Sequence, residues 1–263
     1  MNVEQQPGVP AYHCDEFSEK NHRYVVLIPI INEGERIAHQ LERARVARIH
    51  DVVDIVICDG GSTDGSVECD ALKKMHINTL LIKKGAGKQG AQLRMGFFWA
   101  LQRGYEGIIT IDGNNKDSIE SIPLFIQKLE QGYDFVQGSR FIRGGIAINT
   151  PLIRYIAVRL IHAPVISLTA RFWFTDTTNA FRAYSLRYLK DPRVKVFRDI
   201  FVSYELLAYL SVRATQLGYS ACEVPVTRAY PPVGKTPTKI SFFKGNWELM
   251  KTLFLNWMGR YNP

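Results

Sequence analysis

The chain has 263 residues, of which 46% are hydrophobic, so it can bury the core of one large domain. Its formal net charge of +8 suits phosphate-rich substrates, an anionic membrane surface or nucleic acid, and charge alone does not choose among them. The first 23 residues are polar and no run of about 20 apolar residues occurs, which excludes a signal peptide and a spanning helix and predicts a soluble or peripheral protein.

Strand and helix signals alternate regularly through the first half of the chain. Strands are predicted at residues 24–31, 52–58, 79–83, 107–111 and 135–138, and helices after Asn32 and at about 67–75, 91–103 and 118–131. Asn32 followed by Glu35 resembles a capping box for the first helix. The alternation is typical of β-α-β units, so we expect an α/β fold with a mixed, largely parallel sheet, which binds ligands where its strands end.

Two apolar segments stand out in the second half. Residues 160–170 are uncharged but too short to span a bilayer. Near the C-terminus, an amphipathic helix is predicted, with Thr236 as its cap, Pro237 in its first turn and an apolar stripe at Ile240, Phe243, Trp247, Met250, Phe254 and Trp257. We expect this stripe to pack on the core of the domain, and contact with a membrane surface is the alternative.

Acidic, glycine-containing turns follow three of the predicted strands. They contain Glu33, Asp59 and Asp112. Because the strands are parallel, these carboxylates are expected at one edge of the sheet, where they would face a ligand. Asp112 and Asn114, two hard oxygen ligands on one short turn, predict the position of a divalent cation that bridges a diphosphate.

Six motifs in a fixed order make the chain resemble a family 2 glycosyltransferase of the GT-A fold, nearest the polyprenyl-phosphate (dolichol-phosphate) sugar transferase branch. They run from residue 24 to about residue 239. The motifs are Ile28-Pro29-x-x-Asn32-Glu33, Asp59-Gly-x-Ser-x-Asp64-Gly-Ser66, Gly85-x-Gly87 with Gly96, Asp112-x-Asn114, Gly138-Ser139-Arg140 and Asp176-x-Thr-x-x-Phe181-Arg182.

The resemblance implies an inverting transfer of sugar from a nucleoside diphosphate sugar, with roles for particular residues. The nucleoside would be held by Pro29, Glu33, Ile57 and Asp59. The ribose, diphosphate and a divalent cation, Mg²⁺ or Mn²⁺, would be held by Asp112, Gly113 and Asn114. Arg140 would face the acceptor, Arg182 would belong to the substrate-binding set, and Arg228 and Lys239 would close a loop over the phosphates.

The chain departs from the usual pattern of this family at the predicted metal site. The family usually has Asp-x-Asp followed two residues later by Gln, whereas this chain has Asn114 and Lys116. A metal would therefore be held weakly, and the Lys116 ammonium would support the leaving group directly. We predict a reduced, though not absent, metal requirement. Cys58 replaces the usual acidic neighbour of Asp59, so the nucleobase, uracil or guanine, stays open.

The acceptor decides whether the reaction needs a general base. A phosphate monoester is already an anion near neutral pH, so a lipid-phosphate acceptor needs only cations such as Arg140 or Arg143 to orient it. A glycan hydroxyl needs a base, for which Asp176 is the best placed candidate. Asp176 has an equally supported structural alternative, in which it fixes its loop by hydrogen bonds or pairs with Arg182.

The sequence also leaves other functions open. Gly85-Ala-Gly87-Lys-Gln-Gly90 formally matches a dinucleotide-binding turn, which leaves an NAD(P)-dependent oxidoreductase as a remote alternative. A non-catalytic nucleotide-sugar-binding protein is a second alternative. No nucleic-acid-binding module is recognisable, so no nucleic acid partner is expected, and a homo-oligomer stays open.

The expected organisation is an N-terminal polar extension (residues 1–23) followed by a single GT-A domain (24–263). The domain divides into a nucleotide-sugar half (24–140), an acceptor half (141–239) and the C-terminal amphipathic helix (240–263). Four cysteines without C-x-x-C spacing predict reduced thiols and a cytoplasmic protein. A lipid-linked acceptor would place the protein peripherally at the inner face of the membrane.

Overall fold

The computed structural model of the chain describes residues 6–231 and 242–263. Its strands are β1 (Tyr12–Glu16), β2 (Tyr24–Ile30), β3 (Asp54–Asp59), β4 (Thr79–Lys83), β5 (Gly107–Thr110), β6 (Phe135–Ser139), β7 (Ile146–Ile148), β8 (Arg182–Ser185), β9 (Ala221–Pro225) and β10 (Thr227–Ala229). Its helices are α1 (Glu35–Val46), α2 (Cys69–Lys74), α3 (Gln89–Gln102), α4 (Ile122–Glu130), α5 (Leu152–Ala157), α6 (Ala163–Ala170), α7 (Leu186–Lys190), α8 (Glu205–Gln216) and α9 (Phe242–Trp257). Shorter helical turns lie at Ile49–Asp51, Ile119–Ser121 and Val158–His162.

Eight strands form one sheet in the order β1-β4-β3-β2-β5-β8-β6-β9. The four strands β4, β3, β2 and β5 run parallel, while β1 and β8 pair antiparallel with their neighbours. The predicted mixed, largely parallel sheet is therefore confirmed. Strands from both predicted halves of the domain belong to this sheet, and β7 pairs with β10 in a separate two-stranded sheet.

The central strand β2 shows why this sequence forms a sheet covered on both faces. All seven of its residues are buried. Val25 and Leu27 join a core cluster that includes side chains of α3 and α8. Val26 and Ile28 join the opposite cluster, which includes side chains of α1 and α4. A strand that is buried on both faces has a continuous run of apolar residues, and the sequence of β2 shows such a run.

The N-terminal extension contributes an edge strand that the sequence did not predict. β1 pairs antiparallel with β4, and Tyr12 lies opposite Lys83. The four cysteines are unpaired in the fold, and their redox state stays a prediction.

The capping box predicted for the first helix is wrong. α1 begins at Glu35 after Gly34, and no side chain of that helix start makes the cap. Asn32 Oδ1 instead accepts a hydrogen bond from the Thr63 amide at 2.8 Å. Its side chain therefore links two loops at the ends of β2 and β3.

A continuous helical segment, Leu152–Ala170, contains the apolar run. It has 19 residues, an 18-residue window of it has a mean hydropathy of 1.4, and by length and composition it could cross a membrane. The expectation that no such helix exists is wrong, because the helix begins before the uncharged run and includes Arg154 and Arg159. Only 22% of that window is buried inside the protein.

The C-terminal helix packs through a different face from the one predicted. Its contacts are with α6 and α8, and Leu253 and Asn256 are buried. The expected core stripe faces outward: Trp247 is 71% exposed, and Trp257 is 59% exposed. The assignment of this stripe to the core is therefore wrong. Thr236, Pro237, Ile240 and the side chain of Phe243 lie outside the described residues.

Candidate donor and acceptor site

The ends of β2, β3 and β5 meet at one edge of the sheet, as predicted. The three turns that carry Glu33, Asp59 and Asp112 follow these strands directly. The amide of Gln92, on α3, donates to the carbonyl of Ile30 at 2.6 Å and to that of Cys58 at 2.8 Å. This single side chain links the ends of β2 and β3, so the loops that follow these two strands begin at fixed positions.

Asp59 builds the turn after β3. It is 1% exposed, and its carboxylate accepts hydrogen bonds from the amides of Gly61 (2.7 Å) and Ser62 (2.9 Å) and from the Ser62 hydroxyl (2.5 Å). These contacts make a turn of the type that Asp commonly forms with its own following backbone. A contact of Asp59 with a nucleoside stays a prediction.

The turn after β2 is tied to the turn after β3. The Gly34 amide donates to Asp64 Oδ2 and Ser66 Oγ, each at 2.8 Å. Glu33 accepts from Arg36 Nε at 2.8 Å, and its side chain is 11% exposed. The two loops therefore form one wall of the edge where the strands end.

Two of the predicted nucleoside contacts lie inside the sheet. Pro29 is buried within β2, and Ile57 is fully buried within β3. The Ile57 side chain belongs to the core cluster on the α1 side. A nucleoside at the edge would therefore not reach this side chain without displacing core residues.

Asp112 lies at the centre of the edge and is held from three sides. Its Oδ1 accepts from Gln89 Nε2 at 2.8 Å, and its Oδ2 accepts from Asn114 Nδ2 at 3.3 Å. Arg228 Nη2 lies 3.6 Å from the same Oδ2. A Cβ at Gly113 would come within 2.3 Å of Ile30 Cγ2, so only glycine fits behind Asp112.

A buried group of charges lies next to Asp112. Asp117 is fully buried and forms a salt bridge with Arg228, whose side chain is 7% exposed. Lys116 is 6% exposed, and its Nζ lies 5.3 Å from the centre of the Tyr230 ring. Burial, together with the nearby Arg228 guanidinium, lowers the pKa of Lys116 to about 8. Burial also raises the pKa of Asp117 despite the salt bridge.

Tyr230 connects this group of charges to the apolar helical segment. Arg154 Nη1, on α5, donates to the Tyr230 hydroxyl at 3.2 Å. Burial alone would raise the pKa of Tyr230, but the guanidinium groups of Arg228 and Arg154 outweigh it and lower that pKa to about 8.

The donor set beside Asp112 fits a divalent cation only in part. Asp112 and Asn114 offer hard oxygens, which Mg²⁺ and Mn²⁺ prefer. Among the described residues, however, no group of three or more His, Cys, Asp or Glu side chains could hold a metal. Both Asp112 oxygens already accept hydrogen bonds from amide groups. An ion here would depend on ligands from a bound diphosphate or water.

Arg140 and Asp176 form a buried pair on the acceptor side. Arg140 Nε lies 2.6 Å from Asp176 Oδ2, and Arg140 Nη2 lies 2.9 Å from Oδ1. The two side chains are 1% and 0% exposed. Within the described part of the chain, Arg140 Nη1 is buried and has no hydrogen-bond partner. The suggested pairing of Asp176 with Arg182 is wrong, because the bidentate partner is Arg140.

The remaining predicted site residues do not converge on this site. Arg182 is buried and donates to the carbonyls of Asn179 at 2.9 Å and Thr177 at 2.8 Å, so it holds a loop. Arg143 is exposed on the surface. Lys239 lies outside the described residues.

Sequence reasoning missed several side chains that the fold brings to the site. Gln89 lies in the glycine-rich turn that suggested a dinucleotide, and Asp117 ends the acidic turn that begins at Asp112. Their positions in those turns could have indicated that they lie at the site. Arg154 and Tyr230 carried no local signal, because their contact joins residues 76 positions apart.

The family model described as Glycosyl transferase family 2 matches residues 25–198. The chain belongs to this family. Family 2 membership makes it a glycosyltransferase, which sets aside the oxidoreductase and non-catalytic alternatives. The Gly90 of the dinucleotide-like turn has a packing explanation, because a Cβ there would lie 2.4 Å from the Phe201 carbonyl oxygen.

Two family 2 relatives align with most of the chain. The polyprenol monophosphomannose synthase of Mycolicibacterium smegmatis is 28% identical over 218 residues, which cover 78% of this chain and 77% of that protein. The undecaprenyl-phosphate mannosyltransferase of Micrococcus luteus is 27% identical over 222 residues, which cover 81% of this chain and 86% of that protein. The chain is thus similar to the polyprenyl-phosphate sugar transferase branch.

Solved structures support the same fold. The glucosyl-3-phosphoglycerate synthase of Mycobacterium tuberculosis, in complex with Mn²⁺, uridine diphosphate and phosphoglyceric acid, matches with a TM-score of 0.61 at 15% identity. The match covers 89% of this chain and 78% of that chain. Another structure of that synthase contains Mg²⁺ and uridine diphosphate and also has a TM-score of 0.61. The fold is therefore the GT-A glycosyltransferase fold.

Proposed function

We propose that this glycosyltransferase moves a sugar from a nucleoside diphosphate sugar to the phosphate of a polyprenyl phosphate, with inversion at the anomeric carbon. The choice of a phosphate acceptor rests on the burial and hydrogen bonding of Asp176. This candidate base is completely buried and both of its oxygens are bound to Arg140. A hydroxyl acceptor would need a base that this carboxylate does not supply, whereas a phosphate acceptor needs none.

The acceptor phosphate has a cation available on that side. Arg140 Nη1 has no partner among the described residues, but it is as buried as Asp176, so a phosphate would reach it only if the acceptor opened this part of the site. Arg154, which is half-buried on the apolar helical segment and hydrogen-bonded to Tyr230, is the cation that we expect a phosphate to reach without such a change, since guanidinium groups bind phosphate oxygens well. The relatives named above are a polyprenol monophosphomannose synthase and an undecaprenyl-phosphate mannosyltransferase, and these names support the same acceptor class.

The chemical step balances without a proton transfer. An oxygen of the acceptor phosphate forms a bond to the anomeric carbon while the bond from that carbon to the donor's β-phosphate oxygen breaks. The electron pair of the broken bond stays on the departing diphosphate, which gains one negative charge, and the acceptor phosphate loses one. We expect Arg228, whose Nη2 lies 3.6 Å from Asp112, and Lys116 to offset the charge on the departing diphosphate.

A divalent cation, Mg²⁺ or Mn²⁺, would be held weakly by Asp112 and Asn114. It would supply positive charge to the donor diphosphate when bound. Gln89 orients Asp112 for this task through its 2.8 Å hydrogen bond.

The acceptor would be reached at a membrane surface. Leu152, Ile153 and Leu160 on the helical segment Leu152–Ala170 are each more than 70% exposed, and α9 presents Trp247 and Trp257 outward. α6, the C-terminal part of that segment, contacts α9, so the two elements that carry these side chains are neighbours in the fold. Aromatic side chains and nearby arginines suit the interface of an anionic bilayer. The four free thiols agree with placement on the cytoplasmic side.

This segment is proposed to lie on the bilayer and not to cross it. Its inner face contributes buried side chains, including Ala163, Ile166 and Ala170, and α6 packs against α8. Crossing would expose this packed face to lipid and would place Arg154 and Arg159 in the hydrocarbon region, which is costly.

Ligand binding tests the donor assignment. The melting temperature should rise with UDP or GDP and not with NAD(P), because a ligand that binds the native state stabilises it. Asp112→Asn should reduce that shift, while the matched control Asp70→Asn, on exposed α2, should retain it. A shift with NAD(P) alone would refute the assignment.

A further inference from the structure

We propose that Tyr230 is a positioning residue for the acceptor: its hydroxyl holds the Arg154 guanidinium in the orientation in which that guanidinium binds the phosphate of the lipid. This inference rests on the proposed function, and it adds the side chain that orients the acceptor-binding cation. Tyr230 follows β10 directly and is 4% exposed, so its ring is part of the packed interior beside the site.

The backbone of Tyr230 is fixed to the segment that leads into α5. Its amide donates to the carbonyl of Ile148 at 3.0 Å, and its carbonyl accepts from Asn149 Nδ2 at 3.2 Å. Ile148 ends β7, and α5 begins four residues later, at Leu152. A buried phenol held in this way is a fixed partner for an arginine side chain, which otherwise loses much rotamer freedom when it is ordered.

Helix α5 has the reverse of the usual amphipathic arrangement, in which apolar residues face the core and charged residues face water. Leu152 and Ile153 are 71% and 72% exposed, whereas Arg154 is half-buried. Arg154 Nη1 donates to the Tyr230 hydroxyl at 3.2 Å, and Arg154 Cζ lies 5.7 Å from the centre of the Tyr230 ring. A lipid phosphate, with an apolar chain and an anionic head, has the chemistry that matches exposed apolar side chains next to a guanidinium held by the protein.

Tyr230 also contacts the donor side of the site. Arg228 Cζ lies 5.8 Å from the centre of the Tyr230 ring, and Arg228 Nη2 lies 3.6 Å from Asp112 Oδ2. The same side chain therefore meets the guanidinium beside Asp112 and the guanidinium on α5. Its hydroxyl oxygen and electron-rich ring offset the repulsion between these two cations. A phosphate bound at Arg154 would then lie near the donor, as attack on the anomeric carbon requires.

Steady-state kinetics of Tyr230→Phe, which keeps the ring and removes the hydroxyl, measures this contribution. Undecaprenyl phosphate would be varied at a saturating concentration of the UDP or GDP sugar that the wild type transfers, and the sugar nucleotide would then be varied in turn. The KM for undecaprenyl phosphate should rise by roughly tenfold, as expected for a lost hydrogen bond to a charged group. The KM for the sugar nucleotide should stay unchanged, whereas a general loss of structure would raise both KM values.

A second variant tests whether the hydroxyl acts through Arg154. Arg154→Met should itself raise the KM for undecaprenyl phosphate, and Tyr230→Phe in that background should raise it no further. The matched control Tyr219→Phe removes a hydroxyl that is hydrogen-bonded to Asp191 at 2.7 Å and should leave both KM values unchanged.

Three results would overturn the inference and leave the proposed function intact. They are an unchanged KM for undecaprenyl phosphate in Tyr230→Phe, equal rises in both KM values, and fully additive effects of the Tyr230 and Arg154 substitutions. Absence of transfer to undecaprenyl phosphate by the wild type would overturn the proposed function, and this inference with it.

Discussion

Removing one partner of the Arg140–Asp176 pair should destabilise the protein by more than the loss of its hydrogen bonds alone. The pair has two side-chain hydrogen bonds, at 2.6 and 2.9 Å, and a third from the Arg140 amide at 3.2 Å. Both groups are essentially unexposed, so either single change leaves a buried charge without its partner. Breaking such a pair costs about 3–5 kcal/mol. At about 2–4 °C per kcal/mol for a large domain, the melting temperature should fall by roughly 10 °C.

A double-mutant cycle separates the coupling free energy between Arg140 and Asp176 from the loss of stability caused by each single substitution. Arg140→Met, Asp176→Asn and the double variant would be unfolded in urea and followed by circular dichroism and fluorescence. We expect a coupling free energy of at least about 2 kcal/mol, because the double variant no longer buries an unpaired charge. A coupling below about 0.5 kcal/mol would refute the structural role of the pair, and with it the argument that Asp176 is unavailable as a base.

Three further changes have expected outcomes. Asp112→Asn should reduce sugar transfer by at least about 100-fold in a radiolabelled donor assay while the melting curve stays cooperative, because it removes the carboxylate at the centre of the site. Leu160→Ser, at a 72% exposed position, should weaken sedimentation with anionic vesicles without lowering the melting temperature, whereas Val46→Ser, at a 69% exposed position on α1, should change neither. Arg187→Met should cost about 1 kcal/mol at pH 7, since burial raises the pKa of Asp134 but hydrogen bonds from Arg187 and its neighbours lower it overall. That stabilisation is present above the unfolded pKa of about 4 and is lost as pH falls through the folded pKa, so urea titrations of the two proteins should converge in acid.

The parallel part of the fold was predictable because its signals are local. β2 reads as a continuous run of buried apolar residues, and Asp59 and Asp112 follow apolar strands in turns that are visible in the sequence. Parallel geometry then brings these turns to one edge without any further information. The same reasoning failed for β1, since an edge strand needs only one paired side and its half-exposed residues carry no continuous apolar run.

Other features depended on contacts that local spacing does not encode. The apolar stripe of α9 could be seen, but which side of the helix meets the core depends on α6 and α8, and they pack against Leu253 and Asn256. Likewise, the motif order suggested Arg182 as the partner of Asp176. The fold, and not the motif order, selected Arg140.

Transfer to lipid tests the central claim most directly. The purified chain would be incubated with radiolabelled UDP and GDP sugars in detergent-dispersed lipid, with either undecaprenyl phosphate or undecaprenol as the acceptor. We predict an organic-soluble labelled product with the phosphate and none with the free alcohol, because the phosphate is already an anionic nucleophile, whereas the alcohol needs a base and Asp176 is buried in its pair with Arg140. Labelled product with the alcohol, or with a glycan acceptor but not with the lipid phosphate, would contradict the account.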